Sequence, residues 1–305
     1  MSGHSHTHHS LHGKKLLWTI ALNVFITLFQ FLGGIVSGSL ALLTDALHNF
    51  SDVVALCISY VAHKLGQKKF TDSKTYGYRR AEIIATLINS ATLLIISIFI
   101  IVEAFKRLTT QESIIVNANW VIGLSTLSIL INGASVLLIK EGAKSNMNIR
   151  SAYLHLFSDM LSSIAVLVGG VVMLYFNIYW VDGILSILIA IYLIIAGWKL
   201  ASQSISILMQ FAPPNLNLQE IASLINDYPF VKNVHHAHAW QLNDHEIHFE
   251  AHVDFEEDIS VSEACIRLEK IKKELKDKYS ITHCLLQPEF ESECNQELIV
   301  QHEYQ

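Results

Sequence analysis

Two pairs of ionisable residues recur at one spacing within stretches that otherwise carry almost no charge. One pair is His48 and Asp52, and the other is His155 and Asp159. Members of a pair are four residues apart, so on a helix both side chains project from the same face. Zn²⁺ takes four ligands in a tetrahedron, and both imidazole nitrogen and carboxylate oxygen suit it. Two such faces turned toward each other are therefore predicted to form a four-ligand site for a divalent metal.

A single histidine in a helix bundle is ordinarily a packed polar residue bonded to a neighbouring carbonyl. Two matched pairs favour the metal interpretation, because ionisable groups inside membrane spans are costly and the two anions need a cation. Asp45 precedes His48 by three residues and is expected outside the ligand set, as a cap, a partner of the ligands or a pathway residue. Asp182 is expected to cap the helix that it opens.

The chain around these pairs is apolar enough to cross a membrane. Its 305 residues are 51% hydrophobic and 16% charged, whereas soluble domains are about 25% charged. A span needs about 20 mainly apolar residues, and each must be a helix because hydrocarbon offers no partners to the backbone. Six stretches qualify, approximately Leu16–Val36, Leu40–Ala62, Ala81–Phe105, Val116–Ile139, Ala152–Phe176 and Val181–Leu200.

Counting along these spans leaves a mismatch in depth between the two pairs. His48 lies about 8 residues from the outer end of the second span and Asp159 about 17 from that of the fifth, a difference of about 13 Å. Two alternatives remain open. Either the fifth span begins before Arg150 and is offset, or the second span begins recessed below the outer surface.

Lysine and arginine are concentrated in loops on one side of the predicted membrane. They precede the first span and fill the second-to-third and fourth-to-fifth loops, whereas the opposite loops carry only Lys106 and Arg107. The positive-inside rule then places both termini in the cytoplasm. The predicted organisation is a His-rich cytoplasmic tail over 1–14, an all-α six-helix membrane bundle over 15–211 and an acidic cytoplasmic domain over 212–305. No cleavage site follows a short apolar run, so the first span is expected to be retained.

Periodicity in the acidic part predicts a small α+β domain. Two alternating stretches flank an Asn243-Asp244 turn, which indicates a hairpin. The predicted elements, in the order αββαβ, are a helix over Leu218–Asp227, strands over Val231–Leu242 and Glu246–Phe255, a helix over Ser260–Tyr279 and a strand over Thr282–Phe290.

Six stretches of the sequence match one family of membrane proteins: residues 39–52, 76–83, 155–159, 181–186, 234–240 and 251–253. By these stretches the sequence resembles the cation diffusion facilitator family of zinc exporters. The resemblance covers nearly the whole chain after about Lys15 and includes the motif that carries His48 and Asp52. It implies a homodimer, metal/proton antiport and a ferredoxin-like cytoplasmic domain, and His in place of Asp at position 48 resembles the zinc-selective members.

Further histidines suggest metal binding outside the membrane. By the same resemblance, His235, His252, His283 and Glu289 fall where the family has cytoplasmic metal sites, so Zn²⁺ is expected there as a regulatory ligand, although exposed strand histidines are often inert. The first residues form a His-rich tract, interpreted as weak metal capture rather than a disordered or tag-like tail. Its members are His4, His6, His8, His9 and His12.

The expected function is Zn²⁺ efflux across the cell (inner) membrane in exchange for protons, because zinc ligands must be deprotonated and binding therefore releases protons. The alternative is an exporter of a broader or different range of metals, including Cd²⁺, Co²⁺ or Fe²⁺.

No enzyme is expected, because an intramembrane metalloprotease needs an HExxH pair and an open coordination position. A channel needs weak or multiple sites, and a storage protein needs no ligands inside two spans. No nucleic-acid partner is expected.

Overall fold

The apolar stretches of the first two thirds of the chain form helices. A computed structural model describes residues 24–66, 68, 71–110, 116–140, 147–291 and 296–299. The helices are α1, described over Val24–Ser37, α2 (Leu40–Gly66), α3 (Ala81–Thr109), α4 (Ala118–Ile139), α5 (Met147–Phe176) and α6 (Trp180–Leu208). The N-terminal histidine tract and the beginning of the first predicted span lie outside the described residues.

Four of these helices are long and apolar enough to cross a membrane. Among the described residues, the qualifying segments are Ala81–Thr109, Ala118–Leu137, Tyr153–Phe176 and Trp180–Leu208. The described part of α1 is a shorter apolar helix. Helix α2 carries Asp45, His48 and Asp52 and is the least apolar of α2 to α6. The protein thus has a helical membrane region with four clear spans.

The chain divides into two units. The first consists of Met1–Val61 with Thr86–Ala201, and the second consists of Ala62–Ala85 with Ser202–Gln305. The second unit therefore includes the loop between α2 and α3 as well as the C-terminal domain. Each unit has its own cluster of histidines and carboxylates.

Asp182 caps α2 and not α6, contrary to the sequence-based prediction. Its carboxylate accepts hydrogen bonds from the amides of Leu40, at 2.7 Å, and Ala41, at 3.3 Å, and from the hydroxyl of Ser39. The first amides of a helix have no partner within that helix, and a negative charge there complements the helix dipole. Position in the sequence identifies the helix that Asp182 opens, but not the neighbouring helix end that its side chain reaches.

Close helix packing in the first unit depends on small residues. A Cβ on Gly170 of α5 would lie 3.0 Å from Ile122 and 3.1 Å from Val121 on α4. The same region buries Val121, Val166 and Met173 in one apolar cluster. A glycine at this position therefore lets α4 and α5 approach closely.

The C-terminal domain has the predicted order of elements. They are α7 (Leu218–Asn226), β1 (Val231–Asn243), β2 (Glu246–Phe255), α8 (Val261–Tyr279) and β3 (His283–Glu289). The sheet order is β1-β2-β3, with β1 antiparallel and β3 parallel to β2. The strands and both helices share a single apolar core, which includes Ile221, Phe249, Val253, Leu268 and Ile271.

Side-chain caps explain where several of these elements begin. Asn217 accepts from the amide of Gln219 to start α7, and Ser260 accepts from the amide of Glu263 to start α8. Such caps satisfy amides that the first helical turn leaves unpaired. In the β1–β2 turn, Asn243 Oδ1 accepts from the amide of Glu246 at 3.0 Å, which fixes the hairpin.

Candidate metal centres

Helices α2 and α5 bring His48, Asp52, His155 and Asp159 together. One ligand atom of each residue lies within 4.8 Å of those of the other three. Nε2 of His48 lies 3.3 Å from Oδ1 of Asp159, and Nε2 of His155 lies 3.3 Å from Oδ2 of Asp52. Each histidine thus reaches the carboxylate of the opposite helix. The four-residue group forms only when both helices are in place.

The four side chains differ in burial. Asp159 is 1% exposed and His48 is 12% exposed, whereas Asp52 is 28% and His155 is 43% exposed. Nδ1 of His48, Oδ2 of Asp52 and both carboxylate oxygens of Asp159 are buried without a hydrogen-bond partner. Buried polar atoms without a hydrogen bond are costly. A divalent cation placed among them would satisfy these atoms together.

The first residue of α5 explains the predicted difference in membrane depth between His48 and Asp159. Helix α5 begins at Met147, before Arg150, as the first of the two alternatives requires. Asp159 therefore lies well inside α5 and opposite His48. The sequence alone could not decide this, because it does not give the offset between neighbouring helices.

Asp45 is a hydrogen-bonded partner outside the four-residue group. Gln30 Nε2 donates to its Oδ2 at 2.7 Å, and the hydroxyls of Ser162 and Ser163 donate to its two oxygens at 2.7 and 3.1 Å. The carboxylate therefore links α1, α2 and α5 one turn away from His48. Sequence analysis missed the two serines, although they follow Asp159 by three and four residues, on the same helix face.

The second unit contains a three-residue group, His235, His252 and Glu289. Nε2 of His235 lies 3.2 Å from Oε2 of Glu289, and Nδ1 of His252 lies 2.8 Å from Oε1 of Glu289. His235 and His252 are directly paired between β1 and β2, and Glu289 is paired with Asp254. Two imidazoles and one carboxylate from three strands could thus hold a metal ion.

His283 does not join this group, which differs from what the family resemblance implied. In the parallel pairing of β2 with β3, His252 is opposite Gln287, and His283 is opposite His248. His283 is therefore six residues before Glu289 on the same strand. The strand register is the physical reason for the difference, and the sequence did not specify it.

A bulge in β1 adds a neighbour that alternation did not predict. The pairing of β1 with β2 shifts between His235 and His238, and His236 has a φ of 51°. The His236 ring stacks on that of His252 with centroids 4.8 Å apart. A bulge reorients the residues that follow it, so simple alternation along the strand fails here.

Comparisons with known proteins cover nearly all of the chain. The cation efflux transmembrane domain family matches residues 16–209, and the family of cation efflux protein cytoplasmic domains matches residues 213–291. Bacterial relatives are similar to this chain over most of its length. The cadmium, cobalt and zinc/H(+)-K(+) antiporter of Bacillus velezensis is 34% identical over 288 residues, covering 94% of this chain and 92% of that protein.

The metal cation efflux system protein CzcD of Cupriavidus metallidurans is 31% identical over 301 residues, covering 99% of this chain and 94% of that protein. The zinc transporter ZitB of Escherichia coli is 30% identical over 296 residues, covering 94% of this chain and 93% of that protein. The similarity thus extends over both the membrane region and the C-terminal domain.

Proposed function

Because this chain belongs to the cation efflux family and is a divalent-metal efflux transporter, we propose that it exports Zn²⁺ in exchange for protons through His48, Asp52, His155 and Asp159. The observation that carries the proposal is the convergence of these four side chains from two helices. The names of the relatives support Zn²⁺ and protons as the exchanged ions, since one is a zinc transporter and another is a cadmium, cobalt and zinc/H(+)-K(+) antiporter.

Charge balance within the site explains how protons could replace the metal. Asp52 and Asp159 together carry two negative charges when they are ionised. One Zn²⁺ with neutral imidazoles neutralises them, and so do two protonated imidazoles on His48 and His155. Each protonated histidine would then form an ion pair with the carboxylate of the opposite helix, at the 3.3 Å distances observed. Metal and protons thus compete for the same groups.

A carrier fits this ligand set better than a channel. Four protein ligands fill the tetrahedral shell of Zn²⁺ and hold the ion tightly, whereas rapid permeation requires weak or multiple sites. Since the ligands are divided between α2 and α5, relative movement of these helices would break the set. Export would then alternate between an assembled and a separated arrangement of the two ligand pairs.

We propose that α1 and α2 also cross the membrane, which gives six spans together with α3 to α6. Both termini are proposed to lie in the bacterial cytoplasm. In this organisation, residues 1–14 form a tail, 15–211 the membrane bundle and 212–305 a ferredoxin-like cytoplasmic domain. The αββαβ order supports that fold. The matched family of cytoplasmic domains supports a homodimer.

The group formed by His235, His252 and Glu289 is proposed to bind Zn²⁺ as a regulatory ligand. Its support is the short distances among the three side chains, and the complete burial of His235. Two imidazoles and a carboxylate are an ordinary zinc ligand set, and water can complete the tetrahedron.

Zinc uptake into sealed vesicles containing the purified protein tests the proposed function. With an acidic lumen, we expect saturable Zn²⁺ entry accompanied by alkalinisation of the lumen. A Zn²⁺ flux that does not saturate and does not depend on the proton gradient would contradict antiport. Repeating the assay with Cd²⁺, Co²⁺ and Fe²⁺ decides between a zinc exporter and one of broader or different range.

A further inference from the structure

A second pair of histidines lies in the C-terminal sheet, apart from the group around Glu289. His248 and His283 are directly paired between β2 and β3, and their ring centroids are 4.7 Å apart. This separation is shorter than the 5.2 Å between His235 and His252 and the 5.9 Å between His48 and His155. The two imidazoles are therefore at least as close as those of the candidate centres already described.

The pair borders a pocket of about 320 Å³ within the second unit. One wall belongs to the loop between α2 and α3, where the Tyr76 ring lies edge-on to His248 with centroids 5.8 Å apart. Arg79 of that loop forms a salt bridge with Glu246. Glu246 also accepts a hydrogen bond from Asn243. The carboxylate that lines this pocket is therefore already engaged, and the imidazoles are the groups left to bind a ligand.

His248 is in a suitable state to act as a ligand. Its residue is 4% exposed, and its Nδ1 is buried without a hydrogen-bond partner. His283 is exposed and gives an ion access from solvent.

We propose that His248 and His283 form an additional metal site for a borderline divalent ion such as Zn²⁺ or Cu²⁺, with water completing the coordination shell. Imidazole suits both ions. With two protein ligands, the site is weaker than the group that includes Glu289. Because Tyr76 contacts His248, metal binding there would also affect the loop between α2 and α3.

Trp240 supplies a local probe of this site. Its ring stacks on His248 with centroids 5.3 Å apart, so Cu²⁺ bound at the pair is expected to quench its fluorescence. The full-length, metal-stripped protein in detergent would be titrated with Cu²⁺, and the quenched component should be absent from Trp240→Phe. Equilibrium dialysis with Zn²⁺ would count bound ions per chain in parallel.

The decisive variant is His283→Gln, because His283 is exposed and its replacement leaves the domain core intact. It should lose one Zn²⁺ equivalent and the Trp240 quenching. His245→Gln is the matched control, since His245 is an exposed histidine of the neighbouring β1–β2 turn, and it should keep both signals. Unchanged stoichiometry and quenching in His283→Gln would overturn the proposal. Neither readout uses flux, so the result is independent of Zn²⁺ export.

Discussion

At the scale of single residues, the membrane cluster pairs each histidine with the carboxylate of the other helix. The nitrogen–oxygen distances between residues of different helices are 3.3 Å. Within one helix, the distances are 3.6 Å between His48 and Asp52 and 3.7 Å between His155 and Asp159. The spacing within one helix therefore positions two candidate ligands, and the two helices together form the candidate site. Ligand type at each position should then set which ions the protein moves.

Replacing His48 with Asp should relax the metal selectivity without abolishing transport. Imidazole suits Zn²⁺ and other late first-row ions, whereas carboxylate oxygen tolerates harder ions and larger shells. In vesicle uptake with paired competing metals, we expect the His48→Asp variant to gain Cd²⁺ or Mn²⁺ relative to Zn²⁺. A variant that keeps the parent's metal ranking would show that His48 is not a ligand.

At the scale of helices and strands, Asp182 joins the beginnings of α2 and α6. Replacing it with Ala would leave the buried amides of Leu40 and Ala41 unsatisfied and remove the cap. Losing a cap costs about 1 kcal/mol, and unsatisfied buried groups cost about 1–3 kcal/mol. The melting temperature of Asp182→Ala in detergent should fall clearly. Asp182→Asn retains an acceptor and should fall less, and equal losses would argue against capping.

The salt bridge between Arg79 and Glu246 should make stability depend on pH. Burial acts to raise the pKa of Glu246, but hydrogen bonds from Arg79 and Asn243 bring it below the ordinary 4.5. A carboxylate with a lowered pKa stabilises the folded state above its ordinary pKa, and the contribution is lost as the pH falls through the lowered value. Glu246→Gln should therefore melt earlier than the parent at neutral pH.

The difference between Glu246→Gln and the parent should shrink progressively below pH 4.5. Melting temperatures measured across pH in detergent check this expectation. Glu256→Gln is the control, because Glu256 is an exposed glutamate of the same unit. A difference that does not change with pH would mean that the charge of Glu246 contributes nothing.

The sequence predicted elements better than it predicted their relative placement. Apolar length and alternation predicted the helices and the αββαβ order, because these patterns are local. The group of His48, Asp52, His155 and Asp159 was also predictable, since helical spacing sets which residues share a face. Strand register determines which residue is paired with His283, and a bulge brings His236 onto His252. The offset between helices determines which helix end the Asp182 side chain reaches. Those are tertiary features that no local pattern specifies.

At the scale of the whole molecule, candidate metal-binding residues are found in the membrane region, in the C-terminal domain and, by sequence, in the N-terminal tract. Only the membrane group is proposed to carry the transported ion. Deleting residues 1–12 should therefore reduce uptake at low Zn²⁺ and preserve transport at saturation, because the tract would only capture metal. Vesicle uptake across a range of Zn²⁺ concentrations measures this, and complete loss of transport would show that the tract is essential.

The most direct test of the account is Zn²⁺ uptake by Asp159→Asn in sealed vesicles. Asp159 is the most buried member of the group, and the change removes one anionic ligand while preserving shape. Asp72→Asn makes the same chemical change at an exposed loop residue and serves as the control. We predict that Asp159→Asn inserts and purifies normally but transports no Zn²⁺, whereas Asp72→Asn transports like the parent. Near-normal Zn²⁺ flux in Asp159→Asn would contradict export through this site.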